Sequence, residues 1–526
     1  MVAGENEKPE LIIGLVGPAG VRLGDISKVL IEYLKLFGYS AENIRVSKLL
    51  ENYHGYDKSK NGSGEVERIF YCQEVSLDFR RKLEDGAAPS LAAVAEIRKR
   101  RVALTGNPER SCHSHAFILD QLKHPSEVEL MRKIYGPAFM LLAGHAPKTN
   151  RISSLAKRLA HDDSTKRSEA FYIGKAGEII EIDDNQVDDP DFGQNTRDTY
   201  PLADYFIDLT NEGGEHAVRR FIDLLFGNPF DTPYPHEFAM HQAWSASLRS
   251  ADFNRQVGAV IVKEEKTKSS LQGDLTIVAT GMNEVPFRGG GLYWRDTSPD
   301  ARDQCLDGKG DNRPNAIKMS VLEELLERIK KIGWLNKDKS EKPSKDLANE
   351  LVSSLKRTQF MNISEFSRPV HAEMAALIDS ARRGVAVQGL CMYVSTFPCH
   401  NCAKHIIAAG LRKVIYLEPY PKSKAQELYS EEITSKEWSG QINQDMVEFI
   451  AYTGIAPRQY QRLFSMENRG KKRGISKNKW EETKSSLLPL YIMENVSASY
   501  LLNERQELAR LQETVYKWDK KSLCPD

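Results

Sequence analysis

The chain has 526 residues, 40% apolar and 28% charged, which at about 150 residues per domain points to two to four domains and excludes a single small module. Gly (35) and Pro (23) are near ordinary usage, so collagen-like and low-complexity chains fall away. Lys plus Arg (73) balance Asp plus Glu (73); no global field exists to hold a polyanion, and any nucleic-acid contact must be local.

Seven cysteines, odd in number and widely scattered, argue against a disulfide scaffold and fit a reducing compartment. Glu5, Glu7 and Glu10 stand where a secretory signal is basic, and the apolar run at 11–17 is too short to span a bilayer. A cytoplasmic protein is expected.

The first half reads as alternating strand and helix. Apolar runs at 11–16, 116–119 and 138–143 predict strands, and an amphipathic stretch at 25–37 predicts a helix. Residues 203–208 form a last strand, followed by a helical pattern at 214–226. This alternation predicts a parallel sheet wrapped by helices. Three prolines within 229–235 mark a boundary, dividing the chain into domains 1–230 and 236–526.

The second half opens with a helical pattern at 236–250 and two strands, 257–262 and 275–280, that read as a hairpin with a long polar turn. A Gly-rich segment (286–314), two helical patterns and a Lys-rich connector lead to helix, strand, helix, strand over 370–417. Mobile surface loops are expected at 56–65, 336–346 and 467–480.

The chemistry concentrates in His371-Ala372-Glu373 and Pro398-Cys399-His400-Asn401-Cys402. Each motif lies at the start of a helical pattern, the second directly after the strand 391–396. Cys399 and Cys402 are one helical turn apart, so both sulfurs can face one point, and His371 supplies a third ligand if the helix starts pack side by side. Two thiolates and one imidazole leave zinc an open fourth position, the mark of a catalytic site. Glu373, two residues from the His ligand, is placed to move protons. A structural zinc site with Cys391 or Cys305 as fourth ligand leaves Glu373 idle. A redox Cys-x-x-Cys pair leaves His371 unexplained. His400 and His405 read as surface or packing residues.

His-x-Glu with Pro-Cys-x-x-Cys is the signature of the zinc nucleobase deaminases. From about 236 onward, with Arg255-Gln256-Val257-Gly258 and Gly281-Met282-Asn283-Glu284-Val285-Pro286, the chain resembles the deoxycytidylate deaminase branch of the cytidine deaminase-like fold. The resemblance implies an α/β/α deaminase domain, Asn283 as a sugar contact and the backbone of Ala372 as a reader of the pyrimidine edge. Arg288, near Asn283, is a weaker phosphate candidate.

At the N-terminus a strand, the turn Gly17-Pro18-Ala19-Gly20 and a helix give the layout of a phosphate-cradling loop. The expected Gly-Lys-Ser/Thr ending is replaced by Arg22-Leu23-Gly24, so the lysine is missing, though Arg22 can pair with phosphate. Asp120 resembles the metal-side aspartate of P-loop domains. Together with Gly193–Asp204 and Gly454–Tyr460, most of the chain resembles the bacterial anti-phage deaminases that fuse a P-loop kinase-like domain to a deaminase.

That resemblance implies zinc-dependent deamination of dCTP or dCMP to deoxyuridine nucleotides, depleting the pool a phage needs. It also implies a homo-oligomer, a nucleotide with Mg2+ in a degenerate N-terminal domain at Gly17, Gly20, Arg22 and Asp120, and a small regulatory RNA as partner. A basic run (Arg469, Lys471, Lys472, Arg473, Lys477, Lys479) reads as a solvated loop or a contact for triphosphate or RNA. The alternatives are a deaminase acting on a base in RNA or single-stranded DNA, and a non-catalytic zinc-stabilised nucleotide or RNA sensor.

Overall fold

The computed structural model describes residues 8–52, 56–61, 64–162, 167–185, 192–210, 213–252, 255–265, 274–295, 300, 302, 313–355, 358, 360, 363, 366–439, 442–467, 469, 476–490 and 499–510. They form two compact units. One comprises 1–237, 435–442 and 452–526; the other comprises 238–434 and 443–451.

The first unit is built on parallel strands β1 (Leu11–Val16), β2 (Ser40–Arg45), β3 (His115–Asp120), β4 (Phe139–His145) and β5 (Tyr205–Asp208), in the order β5-β4-β1-β3-β2. Every residue of β1 is buried, as expected of a central parallel strand covered on both faces. The helix Leu23–Leu34 buries Leu23, Ile26, Leu30 and Leu34, the i, i+3, i+4 spacing of one apolar stripe. It packs against the helix Gly213–Leu225. The predicted alternation of strand and helix is therefore present. The sequence reading missed β2, where only Ile44 is buried and no apolar run betrays the strand. It also missed the long helices Glu65–Leu83 and Ala88–Thr105.

The second unit is a mixed sheet of β6 (Gly258–Glu265), β7 (Asp274–Met282), β8 (Cys391–Thr396), β9 (Lys413–Glu418), β10 (Ile433–Thr434) and β11 (Val447–Ala451), ordered β10-β11-β9-β8-β6-β7. The expected hairpin is the antiparallel pair β6–β7, and β8, β9, β11 and β10 run parallel. Two glycines permit close packing. A Cβ on Gly258 would sit 2.0 Å from the Ala243 carbonyl oxygen, and one on Gly281 would sit 2.1 Å from that of Ala372.

Three expectations are corrected. The segment after 451 packs with the first unit: β12 (Gly454–Ile455) adds antiparallel to β5, and Glu504 closes a buried ion pair with Arg101 at 2.7 Å, both side chains 0% exposed. Arg101 also binds Glu10 at 2.6 Å and Glu504 also reaches Arg98 at 3.4 Å, so the C-terminal segment completes a cluster of two arginines and two carboxylates. A second domain running unbroken from 236 to 526 is thus replaced by a chain that crosses and returns.

The Lys-rich stretch expected as a mobile loop at 336–346 instead holds the helix Lys337–Ser340 and the start of Ser344–Leu355. The Asn336 side chain caps it by accepting from Lys339 N at 3.0 Å, a strong N-terminal signal. The expected loop at 467–480 runs into the helix Lys477–Thr483, capped by Ser476 and anchored by buried Trp480. At 56–65 a short 3₁₀ turn, Lys58–Asn61, precedes the helix beginning at Glu65.

Candidate metal centre

Val370 and Glu284 form an antiparallel bridge just beyond the end of β7, which delivers His371 to the start of the helix Ala372–Arg382. His371 is the N-cap, with φ −67° and ψ 153°. Cys399 follows β8 and is the N-cap of the helix His400–Ala408, with φ −68° and ψ 165°. The two helices pack together, so two positive helix ends converge where thiolates are favoured.

His371 Nδ1 lies 3.3 Å from Cys399 Sγ and 3.3 Å from Cys402 Sγ, and the three donor atoms lie within 4.8 Å of one another. Tetrahedral zinc, with about 2.3 Å to sulfur and about 2.0 Å to nitrogen, sets such atoms roughly 3.5 Å apart. The donor set therefore fits zinc. A hydrogen bond from Cys402 and the neighbouring His371 ring hold the Cys399 thiol down at about 4, and the Cys399 sulfur in turn raises His371 to about 9.

Glu373 lies on the first turn of the His371 helix and is 4% exposed. Burial first, and the Cys399 charge second, push its carboxyl up to about 7. Its carboxyl is within hydrogen-bonding reach of Cys402. A buried carboxyl that titrates near neutrality suits proton transfer in both directions.

The remaining candidates sort by position. Ala372 is fully buried, and its carbonyl faces Gly281. Asn283 stands one residue from the Glu284–Val370 bridge. Its Oδ1 accepts from Val257 N at 2.7 Å and its Nδ2 donates to the Arg255 carbonyl at 2.8 Å and to Asp252 Oδ2 at 3.2 Å. This side chain braces the loop before β6. Arg288 is exposed in the turn after Pro286. Cys391 is buried, pushed up to about 12 by desolvation, and lies outside the ligand group. Cys305 falls outside the described residues.

Two neighbours went unread in the sequence. Tyr420 is near enough to feel the Cys399 charge, and Arg255 sits 5.9 Å from its ring centroid. Asp252 acts electrostatically on His371. Neither has a motif of its own, and only the chain's return past β9 brings Tyr420 to the centre.

A family model described as the cytidine and deoxycytidylate deaminase zinc-binding region matches residues 233–418, a span that contains all three ligands and Glu373. This segment is similar to the zinc-binding region of the cytidine and deoxycytidylate deaminases. The deoxycytidylate deaminase of Enterobacteria phage T2 is 44% identical over 55 residues, 10% of this chain and 29% of that one. ComE operon protein 2 of Bacillus subtilis (strain 168) is 41% identical over 66 residues, 12% of this chain and 35% of that one. The chain thus spans 29% of the phage T2 relative's length. The solved dCMP deaminase of cyanophage S-TIM5, in complex with dCMP and dUMP, is 19% identical. The match covers 41% of this chain and 95% of that chain, at a TM-score of 0.21.

In the first unit, Gly20, Arg22 and Asp120 line one cavity, which Gly17 does not line. Gly20 has φ +88°, and a Cβ there would strike the Arg151 carbonyl at 2.5 Å. Arg22 is exposed and paired with Asp25 at 3.2 Å. The turn does not present all its amides outward: Ala19 N donates to buried Asp183 Oδ2 at 2.7 Å. Burial raises the Asp120 carboxyl above its ordinary range.

The basic run is corrected in part. Arg469 is 5% exposed and donates to the carbonyls of Leu463 at 2.8 Å and Asn228 at 3.0 Å, so it pins the backbone instead of facing solvent. Lys477 and Lys479 are exposed, while Lys471, Lys472 and Arg473 lie outside the described residues. No helix among the described residues is long and apolar enough to cross a membrane.

Proposed function

We propose that the second unit catalyses hydrolytic deamination of deoxycytidine nucleotides, dCMP or dCTP, to their deoxyuridine counterparts. The observation that carries this reading is a buried carboxyl, Glu373, beside a three-donor group with zinc chemistry. The phage T2 relative and the matched family region support the substrate class.

His371, Cys399 and Cys402 hold the metal. When bound, zinc supplies Lewis-acid activation of a water and leaves a position open for it. Glu373 would take one proton from the attacking water and pass it to the ring nitrogen, then carry the water's second proton to the amino group, which leaves as ammonia. Its burial makes both transfers accessible near neutral pH. Ala372 and Asn283 border the site and shape the pyrimidine and sugar positions, Asn283 through the loop it braces.

The reading extends, on the resemblance of most of the chain, to a degenerate P-loop kinase-like first unit that takes a nucleotide with Mg2+ and to a homo-oligomer. On the same ground it extends to restraint by a small RNA and to depletion of dCTP in anti-phage defence. The order of the first unit's parallel sheet supports the first of these.

The test incubates the purified chain with dCMP, dCTP, deoxycytidine, CMP and CTP and follows uracil products. Conversion of dCMP or dCTP is the expected result. Activity on ribonucleotides alone, or on none of the five, overturns the assignment.

A further inference from the structure

Within the second unit, the helix Arg313–Lys331 packs against the helix Ser344–Leu355. Leu322 and Leu326 of the first are buried against Leu347 and Ala348 of the second. That contact accounts for one apolar stripe. A second runs beside it: Ile317, Val321 and Leu325 recur at four-residue steps and are all exposed, Leu325 to 48%. Residues four apart on a helix lie on one face, so the three form a continuous ridge. Ile332 and Trp334 extend the apolar surface past the helix end, exposed to 59% and 78%. The two stripes together span roughly half of the helix circumference, wider than the arc of about 100° that one packing face uses.

These five exposed side chains leave on the order of 500 Å² of apolar surface in water, above the few hundred Å² at which a patch marks an interaction surface. That is more than half of the about 800 Å² that each partner gives to a standard interface.

The polar border of the ridge indicates what covers it. Glu324 and Arg328 are exposed, flank Leu325 on the side away from Leu322 and Leu326, and pair with each other at 2.7 Å. Such an edge is complementary to itself when read backwards. In an antiparallel arrangement about a two-fold axis beside Leu325, Glu324 of one copy meets Arg328 of the partner subunit, and Arg328 of the first meets Glu324 of the partner subunit. An isologous interface requires this self-complementarity. In the same register Ile332 and Trp334 of one copy fall beside the ridge positions Val321 and Ile317 of the other, so the apolar groups beyond the helix end are covered too. Three acids on this helix, Glu323, Glu324 and Glu327, disfavour an anionic bilayer as the occupant.

We propose that the ridge Ile317, Val321 and Leu325, with Ile332 and Trp334, is a two-fold interface between copies of this chain, its helices antiparallel and its Glu324 and Arg328 paired across the axis. The proposal does not rest on the deaminase reading, and the homo-oligomer expected from the resemblance names no surface.

The experiment is sedimentation velocity of the full chain from about 0.1 to 100 μM, repeated on Leu325→Glu, Glu324→Arg and Arg328→Glu. The wild type should form an even-numbered assembly. Leu325→Glu sets two carboxylates against each other at the axis and should halve the mass, with an unchanged melting temperature because the position already faces water. Glu324→Arg and Arg328→Glu should each weaken self-association about tenfold, since two like-charge pairs replace two opposite ones. An equimolar mixture of those two variants should regain wild-type association, because both pairs across the axis are then of opposite sign. Loss of the pair within each chain is the same in the mixture as in the separate variants, so the recovery reads only the contact between copies.

A wild type that stays monomeric at about 100 μM, a mass unchanged in Leu325→Glu, or a mixture no more associated than its two components overturns the proposal. Co-sedimentation of a monomeric wild type with phosphatidylserine vesicles, lost in Leu325→Glu, assigns the ridge to a bilayer and also overturns it.

Discussion

Asp183 accepts a hydrogen bond from the backbone N–H of Ala19 at 2.7 Å, so a buried side chain from the helix Glu169–Asn185 stands where a Gly-rich turn would otherwise hold an anion. The same carboxylate pairs with Lys123 and is 0% exposed. Asp183→Ala removes one partner of a buried pair and leaves an ammonium and an amide uncompensated. A loss of about 3 kcal/mol is expected, read as a lower urea midpoint at unchanged m-value. Wild-type stability in this variant would show that the carboxylate is not needed to hold the turn.

Glu373→Ala should abolish deamination, lowering kcat by at least about 10²-fold, while retaining one zinc per chain by atomic absorption. The carboxyl lies beside the ligands without being one of them. Loss of zinc along with activity would instead make Glu373 a structural partner of the centre.

Cys399→Ser, Cys402→Ser and His371→Ala should each lower zinc content and activity in parallel. In the wild type, a strong chelator should remove both and added zinc should restore both. Metal content unchanged in any of the three variants would exclude that residue from the ligand set.

Gly281→Ala places a Cβ 2.1 Å from the Ala372 carbonyl oxygen and 2.4 Å from Ala376 N. Backbone atoms cannot yield cheaply, so the helix that starts at His371 must shift away from β7. A destabilisation of about 1–3 kcal/mol is expected, together with weaker zinc retention, measured by chelator competition. A variant with wild-type metal affinity would show that the helix start is positioned independently of this contact.

Glu504→Ala should destabilise the first unit by about 3 kcal/mol, because fully buried Arg101 loses the two charge-assisted hydrogen bonds it donates to Glu504. Limited proteolysis should cut the variant faster within 499–510, whereas an unchanged cleavage pattern would mean that this helix docks without the ion pair.

The two sheets, the β6–β7 hairpin and the convergence of His371, Cys399 and Cys402 were legible because each rests on a local pattern. Buried parallel strands such as Leu11–Val16 are unbroken apolar runs, and the spacing of Cys399 and Cys402 follows from one helical turn. The His-x-Glu motif fixes Glu373 two residues from His371 by sequence alone. Strand β2 escaped because its side chains are mostly exposed or half-buried. The Lys-rich helix Lys337–Ser340 escaped because charge was read as solvation, although the Asn336 cap was present in the sequence.

The sequence by itself determined the His371, Cys399 and Cys402 donor group, the neighbouring Glu373 carboxyl and the α/β character, because these depend on residue type and on spacings of a few positions. Tertiary structure alone decided that residues 452–526 return to the first unit, that Asp183 fills the Gly-rich turn, and that Arg45, Gln73 and Arg158 share one cavity. Those relationships join residues tens to hundreds of positions apart. The first two arise from buried charges seeking partners, a requirement that no local pattern records.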